Sequence, residues 1–110
     1  MMKAKSSTYT ITSKVFLWSG DMAAWHFLGV PKKESTEIKE IFGQQRRGFG
    51  SIPVSVSIGK SHWQTSIFPD SKSGTYLLPL KSKVRQAEGI FEGDRVKFTL
   101  EFSRSRLKKV

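Results

Sequence analysis

The chain lacks cysteine altogether, and it has only two histidines among its 110 residues. Without cysteine, disulfide bonds, thiolate zinc sites and cysteine nucleophiles are all excluded. The two histidines, His26 and His62, belong to no His-Glu-x-x-His arrangement, and no Gly-x-Ser-x-Gly nucleophile motif occurs. The sequence therefore predicts no metal site, no cofactor and no catalytic residue, and it favours a non-enzymatic domain.

Long hydrophobic runs are also missing. The longest purely apolar run, 15–18, is far too short to cross a bilayer. Ser6, Ser7 and Thr8 stand where a secretion signal would carry its apolar core. We therefore expect a cytoplasmic protein without membrane contact.

Acidic residues are scarce, nine against 19 lysines and arginines, which gives a formal net charge of +10. Six of the basic residues fall in segments 1–7 and 103–110, which contain no acid. We interpret these segments as disordered basic tails on a single domain at 8–102, since the chain is long enough for one core only. Such tails attract nucleic acid or any other polyanion non-specifically. The alternative is that they serve only solubility.

Alternation of apolar and polar residues is typical of half-buried strands. It predicts strands at 8–18, 24–30, 52–58, 61–68, 75–80 and 95–102, with a loop at 69–74. In the first strand Tyr9, Ile11, Val15 and Leu17 share one face, so Trp18 falls on the other with Phe16. If that other face is exposed, Trp18 marks a contact surface.

Two short helices interrupt the strands. The first is expected to begin at Ser35 or Thr36 as N-cap and to end at Gly43. The second covers 82–88, with Val84 and Ala87 facing inward and Gly89 as its cap.

The order strand, proline, short helix, glycine, loop, strand occurs twice, around Pro31 and Gly43 and again around Pro79 and Gly89. Two interlocked halves of this kind close each other's strand edges into a barrel. We therefore predict an all-β fold with two short helices, a small closed β-barrel built from two pseudo-repeated halves. A monomer is favoured over an obligate oligomer.

Several segments together resemble a known family. They are Ala24-Trp25-His26-Phe27, the stretch 46–54, the stretch 63–69, Tyr76-Leu77-Leu78-Pro79-Leu80, and 87–90 ahead of Gly93-Asp94-Arg95-Val96. In this order and spacing they are similar to the bacterial domain of unknown function 1905. The resemblance implies a closed β-barrel of the double-split type and no assigned activity, and some members of the family carry a further C-terminal helical domain.

The last third of the chain, 78–96, also resembles the repeated half of the swapped-hairpin transition-state regulators and antitoxins. Dimers of those proteins bind DNA, and each dimer builds one barrel from two chains. Here both halves lie in one chain, so the resemblance supports the fold rather than the DNA-binding function.

The loop Arg46-Arg47-Gly48-Phe49-Gly50 is the main candidate for anion binding. Its two glycines leave backbone N–H groups available to an anion, and paired arginines grip phosphate bidentately. The alternative is that the glycines shape a bulge and the arginines brace the barrel rim.

Aromatic residues supply the other candidates. Trp18, Trp25, Phe49, Trp63, Phe68 and Tyr76 together would form a stacking platform for bases, or else they are core residues. The two histidines are expected at the surface or rim, and they form a functional pair only if their strands adjoin.

Three functional hypotheses stay open. A binding module for nucleic acid or another anion predicts basic residues clustered on one face. A small-molecule or peptide binder predicts a cavity at the barrel mouth beside Trp25, Trp63, Ser66 and Phe68. His26, next to Trp25, is a further candidate binding residue. A protein-interaction module predicts an exposed apolar patch and a protein partner.

Overall fold

A computed structural model describes residues 8–19, 24–43 and 50–102. Within these ranges it contains six strands and two helices. The strands are β1 Thr8–Ser19, β2 Ala24–Gly29, β3 Ile52–Ile58, β4 Ser61–Asp70, β5 Thr75–Leu80 and β6 Arg95–Glu101, and the helices are α1 Lys32–Phe42 and α2 Ser82–Glu88. No helix in the described ranges is long and apolar enough to cross a membrane.

The strands form a closed barrel in the order β1-β2-β5-β4-β3-β6, with every neighbouring pair antiparallel. The twelve-residue strand β1 makes closure possible because its first part, Thr8 to Lys14, pairs with β6 and its last part pairs with β2. Strand β5 is shared in the same way between β4 and β2. The predicted all-β class and closed barrel are thereby confirmed.

Alternation places one face of each strand in the core. In β3 every second residue is buried, and in β6 Val96, Phe98 and Leu100 are buried while Arg95 and Lys97 are exposed. Helix α1 closes one side of the core by stacking Phe42 on Phe102, with ring centroids 4.4 Å apart. Burying side chains of this size contributes about 1.5–3 kcal/mol each, so the core supplies the main driving force for folding.

The N-cap prediction for α1 was wrong. The helix begins at Lys32, directly after Pro31, which serves as the N-cap residue without a side-chain bond. Ser35 lies inside the helix and is only 2% exposed. Its hydroxyl donates to the Val30 carbonyl at 3.0 Å and accepts the Tyr76 N–H at 3.0 Å, which ties α1 to the adjoining strand. A serine that bonds to a distant backbone group is indistinguishable in sequence from an N-cap.

Strand β4 extends two residues further than expected, through Pro69 and Asp70. The turn that follows explains the extension. The Gly74 N–H donates to the Asp70 carbonyl at 2.8 Å, and the Asp70 carboxylate accepts the Ser73 hydroxyl at 2.7 Å. Because these bonds close a tight turn, the strand runs up to Asp70.

The bounds of α2 agree with the prediction, and Gly89 caps it with a left-handed φ of 66°. Val84 is buried as expected, whereas Ala87 is exposed. In β1 the predicted alternation holds for Ile11 and Val15, but Leu17 is 37% exposed. Leu17 lies opposite the half-buried His26 near the end of β1.

Candidate functional site

The outer face of the β1–β2 ribbon carries two cross-strand aromatic pairs. Phe16 lies opposite Phe27, with ring centroids 5.8 Å apart, and Trp18 lies opposite Trp25. Directly opposed residues in an antiparallel pair share one face. The adjacent pair Val15 and Leu28 is buried, so these aromatic rings point outward. Trp18 and Trp25 are 54% and 51% exposed, which is unusual for tryptophan in a small domain.

The apolar surface continues across two further strands. Phe27 lies opposite Pro79 on β5, and Leu77 on β5 lies opposite Phe68 on β4. Gly29, on β2, lies opposite Leu77 and adds no side chain to this surface. We call the whole set the apolar face; it consists of Phe16, Trp18, Trp25, Phe27, Phe68, Leu77 and Pro79. Contiguous apolar surface of this kind typically marks a contact site.

A basic edge adjoins the aromatic pairs. Lys14 precedes Phe16 by two residues, so it lies on the same outer face of β1, and it stands directly opposite Arg95 on β6. Lys97 follows on the same face of β6, and all three basic side chains are exposed. Like charges directly opposite each other destabilise a sheet. The arrangement therefore has no stabilising role in the fold, and it is suited to an anionic ligand.

Charge divides the described residues between the two ends of the barrel. The end that carries α2 holds seven basic and three acidic side chains: Lys14, Lys60, Lys81, Lys83, Arg85, Arg95 and Lys97 against Glu88, Glu92 and Asp94. The end that carries α1 holds four basic and five acidic ones: Lys32, Lys33, Lys39 and Lys72 against Glu34, Glu37, Glu40, Asp70 and Glu101. The described net positive charge therefore belongs to the α2 end, where the exposed tryptophans also lie.

The two histidines lie on strands that do not adjoin, since β5 separates β2 from β4. His26 is half-buried and lies opposite Leu80, whereas His62 is exposed. The His62 Nδ1 lies 2.9 Å from the Ser57 hydroxyl on the outer surface of β3–β4. The pair lies on the outside of the barrel, where His62 is exposed and Ser57 half-buried, so this contact is a surface hydrogen bond rather than an activated nucleophile.

The structure separates the residues that sequence analysis grouped as a binding site. Trp25 and Phe68 lie on the apolar face, and Ser66 precedes Phe68 on the same side of β4. Trp63 packs partly against the core. Gly50 has a φ of 78° and lies beside Pro69. The remaining candidates, Arg46, Arg47, Gly48 and Phe49, lie outside the described residues.

Sequence analysis missed Phe27, Leu77 and Pro79 as members of the surface that carries Trp18. The signal that was available was alternation on β1, which placed Phe16 and Trp18 together on the outer side. The residues of other strands that extend this surface are determined by the pairing register. Alternation along one strand does not reveal that register.

Two clefts lie elsewhere on the described surface. One of about 550 Å³ runs between α1 and the β4–β5 turn, with Lys32, Lys39 and Tyr76 among its lining residues. The other, of about 400 Å³, lies between the end of α2 and the start of β6, beside Glu88, Arg95 and Lys97. Neither lining includes Trp25, Trp63, Ser66 or Phe68, the residues expected at a barrel-mouth cavity.

Within the described part of the chain, some buried polar atoms have no hydrogen-bond partner. Three of them are the Trp63 Nε1, the Arg85 Nε and the Ser13 hydroxyl. A buried polar atom without a partner costs about 1–3 kcal/mol, and more when the group is charged. The two nitrogens belong to the α2 end of the barrel.

Comparison with known proteins identifies the family of this chain. No curated protein sequence is significantly similar to this chain. The family model for the domain of unknown function DUF1905 matches residues 12–100, which include all of the barrel except the outermost residues of β1 and β6. This match agrees with the resemblance noted from the sequence segments, and the chain belongs to the DUF1905 family.

Proposed function

We propose that the domain is a non-enzymatic binding module that holds single-stranded nucleic acid against the aromatic pairs and the basic edge. The observation that carries this proposal is the outer row of β1, in which Trp18 and Phe16 lead directly to Lys14. Each member of the row has a partner of the same chemical kind on the neighbouring strand: Trp25, Phe27 and Arg95.

Single-strand binders combine exposed aromatic rings, on which bases stack, with basic groups that follow the phosphates. Stacking contributes about 1–3 kcal/mol per base and tolerates any base sequence. A duplex offers no free base faces, so the aromatic pairs select for single strands. The net charge of +10 adds long-range attraction, which weakens as salt is raised. In this proposal the protein works in the cytoplasm as a monomer.

The apolar face supports a second candidate function. Its part on β4 and β5, Phe68, Leu77 and Pro79, lies away from the basic edge and has no part in phosphate binding. A protein partner with an apolar centre and an acidic rim would match this surface and the positive charge beside it. Self-association is disfavoured because each copy carries +10.

The test is fluorescence anisotropy with labelled single-stranded and duplex oligonucleotides of about 12 nucleotides, within the range that single domains cover. The full chain is compared with Trp18→Ala/Trp25→Ala, with Lys14→Gln/Arg95→Gln, and with the control Lys33→Gln/Lys83→Gln. The control removes the same charge from the exposed first turns of the two helices.

We expect the tryptophan variant to bind single strands at least about tenfold more weakly, the loss of one stacked base. The Lys14/Arg95 variant should lose about two phosphate contacts, so the slope of log affinity against log salt concentration should become less steep by about two. The control should reduce this slope by less. If duplex binds as well as single strand and neither site variant differs from the control, the proposal is wrong. The attraction is then non-specific, and the apolar face is left to a protein partner.

A further inference from the structure

A second site lies at the junction of α2 with β4, away from the outer surface of β1 and β2. Strands β4 and β5 are antiparallel, with Phe68 opposite Leu77, so the end of β5 lies beside the first half of β4. Helix α2 begins directly after β5 and packs against β4. At its end, the Glu88 carboxylate accepts the Ser61 hydroxyl at 2.6 Å. The helix therefore runs alongside the first half of β4.

Trp63 lies near the start of β4, and Arg85 lies in the middle of α2. Trp63 follows Ser61 by two residues and lies on the same side of β4. Arg85 precedes Glu88 by three residues, which places it on the same side of α2, one turn earlier. Because Ser61 and Glu88 are bonded to each other, Trp63 and Arg85 lie along the same junction.

Both residues present a buried donor without an acceptor. The Trp63 Nε1 and the Arg85 Nε are fully shielded from solvent and make no hydrogen bond within the described chain. An indole N–H and a guanidinium N–H can only donate, so neither can satisfy the other. The Glu88 carboxylate one turn along α2 is held by Ser61. Each donor therefore requires an acceptor that the described chain does not supply.

The charge of the surroundings identifies the acceptor as an anion. Arg85 is a permanent cation, and the exposed Lys81 precedes it by four residues at the N-cap of α2. Charge-assisted bonds from a guanidinium to a carboxylate or phosphate oxygen are about twice as strong as neutral ones. We propose that the junction of α2 with β4 binds a small oxyanion, a carboxylate or phosphate group, through the Trp63 and Arg85 N–H groups.

The proposal does not depend on nucleic-acid binding, because its residues are separate from the aromatic pairs and the basic edge. It is tested by ¹H–¹⁵N NMR of the full chain at constant ionic strength, held with sodium chloride. Inorganic phosphate is added to one sample and acetate to another, which distinguishes the two oxyanion classes. The indole signals of Trp18 and Trp25, both exposed, serve as internal controls.

We expect the Trp63 indole and the Arg85 Nε signals to shift together and to saturate with at least one anion, while the other two indoles stay in place. Arg85→Lys keeps the charge but removes the Nε donor, so it should weaken binding at least about tenfold. Trp63→Phe keeps an aromatic ring and removes the other donor. Lys83→Gln, which removes an exposed charge from the same helix, should leave the affinity within about twofold.

Two outcomes would overturn the proposal. One is that neither signal responds to phosphate or acetate, with both donors instead showing exchange with bound water. The other is that Arg85→Lys, with an undisturbed spectrum elsewhere, binds the anion as tightly as the unaltered chain. Because Arg85→Lys is conservative, the test remains decisive even if Trp63→Phe fails to fold.

Discussion

The bond system around Ser35 permits a sharp test of what attaches α1 to the barrel. Its hydroxyl is a donor to the Val30 carbonyl and an acceptor for the Tyr76 N–H, both at 3.0 Å, and the side chain is buried. Ser35→Ala removes both bonds, and the Tyr76 N–H loses this acceptor in a place that water does not reach. The perturbation is otherwise minimal, because one oxygen atom is removed.

The magnitude follows from the two bonds. A typical intramolecular hydrogen bond contributes about 0.5–1.5 kcal/mol, and a buried donor left without a partner costs about 1–3 kcal/mol. Alanine has a higher helix propensity than serine, which returns about 0.5 kcal/mol. We therefore expect Ser35→Ala to lower the free energy of unfolding by about 2–3 kcal/mol, and Tm by about 10–20 °C for a domain of this size.

Urea denaturation followed by far-ultraviolet circular dichroism measures the change. The matched control is Thr36→Ala, a loss of a hydroxyl at an exposed position of the same helix. We expect that variant to be as stable as the unaltered chain or slightly more stable. If Ser35→Ala changes stability by no more than Thr36→Ala does, the reasoning is refuted, and helix α1 is attached by apolar packing alone.

Other predictions concern the turns. Gly59→Ala should destabilise the domain by about 1–2 kcal/mol in thermal melts, because Gly59 has a φ of 55° and an added Cβ would collide with the Glu88 carboxylate. The control is Gly43→Ala, which should be neutral or stabilising, because Gly43 has a φ of −60° and room for a Cβ beside Lys39. The hydroxyl of Ser73, helped by backbone N–H groups, holds the pKa of Asp70 below its ordinary value. The ionised form therefore stabilises the fold at neutral pH, and this contribution is lost as the pH falls through the lowered pKa. Unfolding midpoints measured from pH 6 down to about pH 3 should fall less steeply in Asp70→Asn than in the unaltered chain, and equal slopes would contradict this assignment.

Much of the fold follows from local sequence patterns. All six strands and both helices fall where alternation, glycine and proline place them. The bounds of β3, β5 and α2 agree because turn residues or a proline stand directly beside them. One error has a long-range cause, since Ser35 bonds to a residue 41 positions away. The other has a local cause, since β4 runs past Pro69 because Asp70 closes the turn with Ser73. The double-split assignment and the two pseudo-repeated halves remain predictions.

The candidate site was less accessible from the sequence. Trp18 was identified as a possible contact residue from alternation alone, and the structure places it on an exposed surface. The residues that complete that surface come from β2, β4 and β5, and the basic edge comes from β6. The proposed loop at 46–50 lies outside the described residues except for Gly50 and stays a prediction.

What the sequence determined by itself is the chemistry of each element: strands with one apolar face, an excess of basic residues, and the absence of thiols. Only the tertiary structure decided which residues of separate strands form one contiguous surface. Closure of the barrel sets the register between strands that are distant in the chain, and register determines which side chains stand beside each other. Lys14 and Arg95 are 81 positions apart in the sequence, and a cross-strand pair brings them together.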